Sequence, residues 1–332
     1  MKKRQKIYLS DVAELAGVSS SAAGKVLNGG SDQIRVSPET RRRIEAAARK
    51  LGYTRNIAAS ILAGGRSRLI GVFVDSFTPY RGLRLLQEIE RACTRTGYRI
   101  MTSFSHDCIA DMKEDYLTFR HYGITDFICC AHDYPDSRDE IRSLFADAEN
   151  VVFMEKPCLE NVPFVRTSRL QALTDMIADA RAKGFRRFGI LHAPQVNASE
   201  RVLRGEFRRA LRANGLEPDE KLFFEYPEDP ADPVPRIQLT MKKMIRRQKP
   251  DFLYVDDAGH AAALRTQLEG SDLKIRIYGG NNDPFFNCIG VDSFDPCYDK
   301  IAAALLDLLL HPESRGDAPH VIESVYKKRY EV

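Results

Sequence analysis

Gly17 is the residue that most narrows what this chain can become. It stands between Asp11-Val-Ala-Glu-Leu-Ala and Val18-Ser19, and Val26-Leu27-Asn28 follows after a run of small residues. That order predicts a helix, a sharp turn that uses glycine's access to positive φ, and a second helix about the right size for the DNA major groove. Ala13 and Ala16 leave room for two helices to approach, and Ser19 stands where it can cap the second. A third helix has the clearest ends: Ser37 caps it, Pro38 takes its first position and Gly52 follows its last. Its apolar stripe, Ile44, Ala47, Ala48 and Leu51, is enough to roof the other two.

Charge is distributed unevenly along the chain. Residues 1–68 carry 14 Lys and Arg against 5 Asp and Glu, whereas the remainder carries 36 against 41. A basic head on a mildly acidic body suits a chain that presents one end to phosphate. A solvated basic terminus would give the same balance, so the specificity comes from the glycine-turned helix pair.

Residues 53–68 form a short helix-capable piece running into Gly64-Gly65, too short to be stable alone and expected to order on a partner. From Leu69 onward, short apolar runs at 69–75, 99–104, 126–130, 151–154, 187–191, 252–255 and 274–278 alternate with amphipathic segments such as 82–96. This alternation implies parallel sheets covered by helices, and the length implies two lobes. Ligands in such folds sit beyond the carboxyl ends of the strands.

The chemistry of the remaining residues is mostly exclusion. Seven cysteines form no CxxC pair and are odd in number, which supports neither a disulfide framework nor zinc. The seven histidines show no HExxH spacing, and no GxSxG, Walker A or GxGxxG sequence occurs. Asp256-Asp257 reads as one carboxylate toward a cleft and one capping the following helix. The amino-terminal Met-Lys-Lys-Arg-Gln-Lys lacks a following apolar run, and no stretch of about 18 apolar residues appears. The expectation is a cytoplasmic protein with no cofactor, no metal, no membrane contact and no catalysis.

The head resembles the LacI/GalR family of bacterial transcriptional regulators. The resemblance is carried by Asp11-Val-Ala, Ala16-Gly-Val-Ser, Val26-Leu-Asn28, Val36-Ser-Pro-Glu-Thr-Arg41, Ile44-Glu-Ala-Ala, Leu51-Gly-Tyr53 and Asn56, and continues more sparsely from Ile70-Gly71-Val72 to the helix at 301–310. It implies an all-α helix-turn-helix DNA-binding head over 1–54 and a hinge helix and linker over 55–68. Residues 69–332 would be an α/β two-lobed periplasmic-binding-protein-like sensor with doubly wound parallel sheets. Its N-lobe would span about 69–164 and 294–318, and its C-lobe about 165–291 and 319–332.

The same resemblance assigns roles to residues. Ser20, Ser21 and Lys25 would touch base edges, with Ser19 and Asn28 toward phosphate, and Asn56 would open a hinge helix whose Ala59 and Leu62 wedge into the minor groove. Lys25 stands where the family commonly has Arg, which removes the planar two-pronged match to guanine. Gly24 replaces a common Ser and costs the helix up to ~1 kcal/mol relative to Ala. Arg55 and Ser60 replace a usual Pro and a frequent Arg. In the sensor, Phe77 and Tyr80 would cover the apolar face of a ligand, while Arg201, Asp256 and Asn281 would hydrogen-bond its hydroxyls and Glu155 would take a frequent Asp position. Asn281 stands for a usual Asp, and Thr167-Ser168 lie near a usual Asp-Asn pair.

An aromatic platform with polar groups at its edge suits a sugar. The implied protein is a homodimeric repressor that binds a roughly palindromic operator in double-stranded DNA and answers to a small-molecule effector, a sugar. Two other readings stay open on these residues: a sugar- or nucleotide-acting α/β enzyme fused to a DNA-binding head, and a regulator that has lost effector control.

Overall fold

A computed structural model describes residues 7–27, 36–54, 67–74, 79–104, 108–132, 137–148, 150–192, 198–225, 237–238, 240, 244–284, 286–314 and 320–328. The chain divides into two compact units, Met1–Arg68 with Thr118–Ile124, and Leu69–Leu117 with Thr125–Val332.

In the head, α1 (Leu9–Ala16) opens with the Asp11 carboxylate accepting the Tyr8 N–H at 2.8 Å. It ends at Gly17, which adopts the left-handed conformation at φ 62° and donates its N–H to Glu14 O at 3.1 Å, while Val18 N–H closes on Ala13 O at 3.0 Å. This glycine-terminated helix end is the turn read from the sequence. The second helix, α2, is Ser20–Leu27, and α3 is Pro38–Leu51, with Ser37 Oγ accepting the Thr40 N–H at 3.2 Å and Gly52 left-handed at φ 67°. Val12, Ala13, Ala16, Ala23, Val26, Ile44, Ala47 and Ala48 make the buried core of the three. Arg43 adds a tie that periodicity does not reveal: its guanidinium donates to the carbonyls of Ala16 at 2.7 Å and Gly17 at 3.4 Å. Those carbonyls have no partner within α1, so a cation there answers both their hydrogen bonding and the negative end of the helix dipole.

The core unit consists of two six-stranded sheets. In the first, β1 (Leu69–Phe73), β2 (Arg99–Ser103), β3 (Asp126–Cys129), β4 (Asn150–Met154), β5 (Phe164–Ser168) and β11 (His320–Glu323) run all parallel in the order β2-β1-β3-β4-β5-β11. The second contains β6 (Phe188–His192), β7 (Phe223–Glu225), β8 (Phe252–Val255), β9 (Arg276–Gly279), β10 (Asp292–Asp295) and β12 (Val325–Lys327) in the order β7-β6-β8-β9-β10-β12, with β12 antiparallel to β10. The crossover helices are α4 (Pro79–Arg95), α5 (Ile109–His121), α6 (Arg138–Leu144), α7 (Leu170–Ala182), α8 (Ala198–Ala213), α9 (Ala258–Leu268), α10 (Phe286–Ile289) and α11 (Tyr298–Leu310).

Each sheet is buried on both faces, which is why its central strands read as continuous apolar runs rather than as alternation. In the first sheet, Ile70, Val72, Ile128, Val152 and Val165 pack with Leu85, Ile89 and Cys93 of α4 and Ile301, Leu305 and Leu309 of α11. The other face is aromatic: Phe73 lies against Phe127 and Phe145, and Phe145 meets Phe153 edge-on at 5.5 Å between centroids. The second sheet repeats the scheme, with Ile190, Phe252, Tyr254, Tyr278 and Phe294 toward α7 and α8, and Leu191, Leu253, Val255 and Ile277 toward α9.

The lobe boundaries differ from those expected. Val165 pairs with both Met154 and His320, so Phe164–Ser168 and His320–Glu323 belong to the first sheet, and Asp292–Asp295 belongs to the second through its pairing with Tyr278 and Gly279. The chain finishes each strand before it changes lobe, so it crosses after Ser168, after Asp295 and at Ser324.

Phe127 is fully buried, with its ring against those of Phe73 and Tyr116. Phe127→Ala is expected to destabilise the core unit by about 3–5 kcal/mol, measured as a shift in denaturant midpoint by circular dichroism.

Candidate functional site

The head exposes one face of α2. Ser19 caps that helix, its Oγ accepting the Ala22 N–H at 3.1 Å, and Ser19, Ser20, Ser21 and Lys25 are all exposed. Ala23, Gly24 and Val26 turn inward, so the glycine at 24 leaves the outer row of side chains intact. Ser21 and Lys25 are four residues apart and share a helix face, one turn from an N-terminus whose free N–H groups attract anions. Asn28, Asn56, Ala59 and Leu62 lie outside the described residues.

In the core unit, Asp256 follows β8 and Asn281 follows β9, and the structure brings them together: Asn281 Nδ2 donates to Asp256 O at 3.3 Å, with both residues largely buried. The approach depends on Gly280, because a Cβ there would sit 2.6 Å from Asp256 O. Gly279-Gly280 is therefore a packing device at the strand ends, and Gly279 makes room for the Phe286 ring. Asn281 is itself left-handed at φ 72°, a conformation that asparagine tolerates better than most residues. Asp257 caps α9 by accepting the His260 N–H at 2.8 Å, as its neighbour's separate role requires.

Glu155 lies at the end of β4 in the other lobe, left-handed at φ 65°, and its carboxylate accepts the Thr167 N–H at 3.0 Å and the Thr167 hydroxyl. Burial pushes its pKa above the usual glutamate value, against the opposing pull of Thr167 and Arg169, and the Glu206 charge adds to the rise. Phe77 lies outside the described residues; Tyr80 lies in α4 and Arg201 in α8, with their side chains outside what is described.

Sequence reasoning missed three groups here. His132, buried beside β4, bonds through Nε2 to Met154 O at 2.6 Å, and Arg204 is committed to the lobe, bonding Glu220 at 2.7 Å and Glu225 at 3.2 Å while lying over the Phe223 ring. Glu206 is fully buried, and its Oε2 accepts the Arg169 N–H at 3.1 Å. The signal for Glu206 was available, since it stands on the apolar stripe Leu203, Phe207, Ala210, where a carboxylate is out of pattern. Among the described residues, no group of three His, Cys, Asp or Glu is placed to hold a metal ion, and no helix is long and apolar enough to cross a membrane.

Comparison with known proteins bears on both parts. The family model described as bacterial regulatory proteins, lacI family, matches residues 8–56. The sucrose operon repressor of Klebsiella pneumoniae is 39% identical over 217 residues, 64% of each chain. The lacI family match is thus to the head, and the similarity to a named repressor reaches into the core. The catabolite repressor/activator of Escherichia coli strain K12 is 34% identical over 99 residues, 30% of each chain, so the matched regions span under two thirds of these relatives' lengths. The lac repressor dimer bound to operator and the anti-inducer ONPF superposes with a TM-score of 0.76 at 19% identity over 98% of both chains. The fold, a helix-turn-helix head with a two-lobed periplasmic-binding-protein-like core, is thus shared over nearly the whole chain.

The Arg204 and Arg208 pairing gives the C-lobe a measurable acid response. Glu220 Oε1 accepts from Arg208 at 2.7 Å, and the hydrogen bonds from Arg208 and then Arg204 hold the carboxyl down at about 2. A carboxylate depressed on folding contributes stability above its unfolded pKa and loses it as pH falls through the folded one. Glu220→Gln is therefore expected to lower the melting temperature near neutral pH, and the gap to the wild type should narrow as pH falls from about 4.5 toward about 2. A gap independent of pH would contradict the ion pairing.

Proposed function

We propose that this protein is a DNA-binding transcriptional repressor controlled by a sugar that binds between the lobes of its core. The observation that carries the reading is the exposed row Ser20, Ser21 and Lys25 on α2, held by the Gly17 turn inside the segment that matches the family. Side chains at the start of such a helix reach base edges in the major groove, and the basic balance of residues 1–68 supplies the phosphate attraction. Ser19 and Asn28 contact phosphate, and Asn56, Ala59 and Leu62 form the hinge, with the two apolar residues unstacking a base step. Two copies act together on a roughly palindromic operator, because linking two modest half-sites raises affinity without new contacts.

The effector is held by Asp256 and Asn281 from one lobe and Glu155 from the other, with Arg201 as a further hydrogen-bonding group and Phe77 and Tyr80 against its apolar face. Support for a sugar comes from this polar set at the strand ends and from the relative named a sucrose operon repressor. Binding can change DNA affinity only by favouring one lobe arrangement over the other. The protein works in the cytoplasm and converts no substrate.

Two substitutions test the DNA contacts on an operator selected from the source genome. Lys25→Ala is expected to cost about 1–3 kcal/mol and to relax discrimination at one base position, read by competition with operator variants. Leu62→Gly is expected to weaken operator binding strongly while leaving sugar affinity, measured by calorimetry, nearly intact; unchanged operator affinity would refute the wedge.

A further inference from the structure

The first lobe crossing is gripped from both sides. Thr167, the next-to-last residue of β5, gives its N–H and hydroxyl to Glu155, which belongs to the N-lobe. Arg169, two residues on, gives its N–H to Glu206, which belongs to helix α8 of the C-lobe. Between them, Ser168 O accepts the N–H of Ser324 at 2.8 Å, so the third crossing is tied to the same point. Three consecutive residues thus gather one carboxylate from each lobe and a second crossing strand.

The two carboxylates are not restful partners. Glu206 is fully buried, yet Oε2 alone is bonded and Oε1 has no hydrogen-bond partner among the described residues. Glu155 sits at a positive φ that non-glycine residues seldom adopt, held there while its own N–H bonds Val165 O at 2.8 Å. The two negative charges lie close enough to act on one another, with Arg169 as the nearby cation. An ordinary structural contact would satisfy both oxygens of a buried carboxylate and relax the backbone that carries it. A strained residue and a half-satisfied charge meeting at a chain crossing are instead what a bistable element is made of.

We propose that Glu155 and Glu206 form a two-sided clamp on residues 167–169, with Glu206 the positioning residue that fixes the Arg169 amide and thereby the angle at which the chain passes from one lobe to the other. Motion of one lobe against the other must bend the chain at its three crossings, and two of those meet at Ser168. Loosening the clamp frees the hinge without unpacking either lobe.

The test is hydrogen exchange on the full-length protein, followed in overlapping peptides across 164–170 and 320–326, with peptides containing Phe127 and Ile277 as controls. Glu206→Leu is expected to speed exchange at Arg169 and Ser324 at least tenfold while Phe127 and Ile277, inside the two sheets, keep wild-type rates. Glu206→Gln, which retains an acceptor, is expected to restore most of the protection. Glu155→Ala is expected to release Arg169 as well as Thr167, because both carboxylates hold one strand. Exchange rising equally throughout both sheets in Glu206→Leu would mean a merely structural role. Release of Thr167 alone in Glu155→Ala, or Arg169 exchange within twofold of wild type in Glu206→Leu, would overturn the clamp.

Discussion

The core of this protein is shaped by its three changes of lobe. Because the chain leaves the first sheet after Ser168, returns after Asp295 and crosses again at Ser324, neither sheet is built from one continuous stretch of sequence. Each sheet takes an edge strand from chain that has already passed through the other lobe, and the crossings are the covalent connections between the two. The bond from Ser324 N–H to Ser168 O draws two of them together. At the second, Asp295 accepts the Cys297 N–H at 3.0 Å and the Asn282 side chain at 3.2 Å. Under the proposed effector control, doubly covered sheets joined by short hydrogen-bonded crossings would convert a ligand's preference into a change of lobe angle with little loss inside the lobes.

The head follows a different logic. Its described residues form helices and no strand, with little apolar bulk, so it relies on small residues that let three helices approach, and on helix ends that are explicitly satisfied. Gly17, Ser19, Ser37 and Gly52 do this from their own positions, while Arg43 does it from another helix. The outer face of α2 is thereby free of structural duty, which leaves Ser20, Ser21 and Lys25 available for a partner.

Much of this is legible in the sequence. Caps and glycine stops are local, so the head's helices could be placed from single residues, and fully buried central strands such as 126–129 and 252–255 announce themselves as apolar runs. The edge strands β7, β11 and β12 do not stand out in the sequence, because three or four residues carry too little pattern, and in β11 and β12 part of each strand is exposed as well. Strand β5 does not read as an apolar run, since Phe164-Val-Arg-Thr-Ser168 mixes polar and apolar residues. Its lobe, like that of β10 and β11, is a matter of pairing across long sequence separation. Asp256 and Asn281 are named by the family resemblance, and the structure shows that they follow adjacent strands. Their meeting depends on Gly280, whose role is defined by Asp256 O, 24 residues earlier in sequence. Glu206 was legible in principle as a charge on an apolar stripe, but its partner, a backbone N–H at the first crossing, was not.

The central claim is that the helix-turn-helix head selects DNA and that the two-lobed core governs the selection. The most direct measurement is to incubate the purified full-length protein with sheared DNA from its source genome, recover the bound fragments, and repeat the selection with a panel of sugars. The account predicts enrichment of a few fragments sharing an inverted repeat, with at least one sugar changing their recovery. Recovery no different from that of random duplex, with and without every sugar, would contradict it.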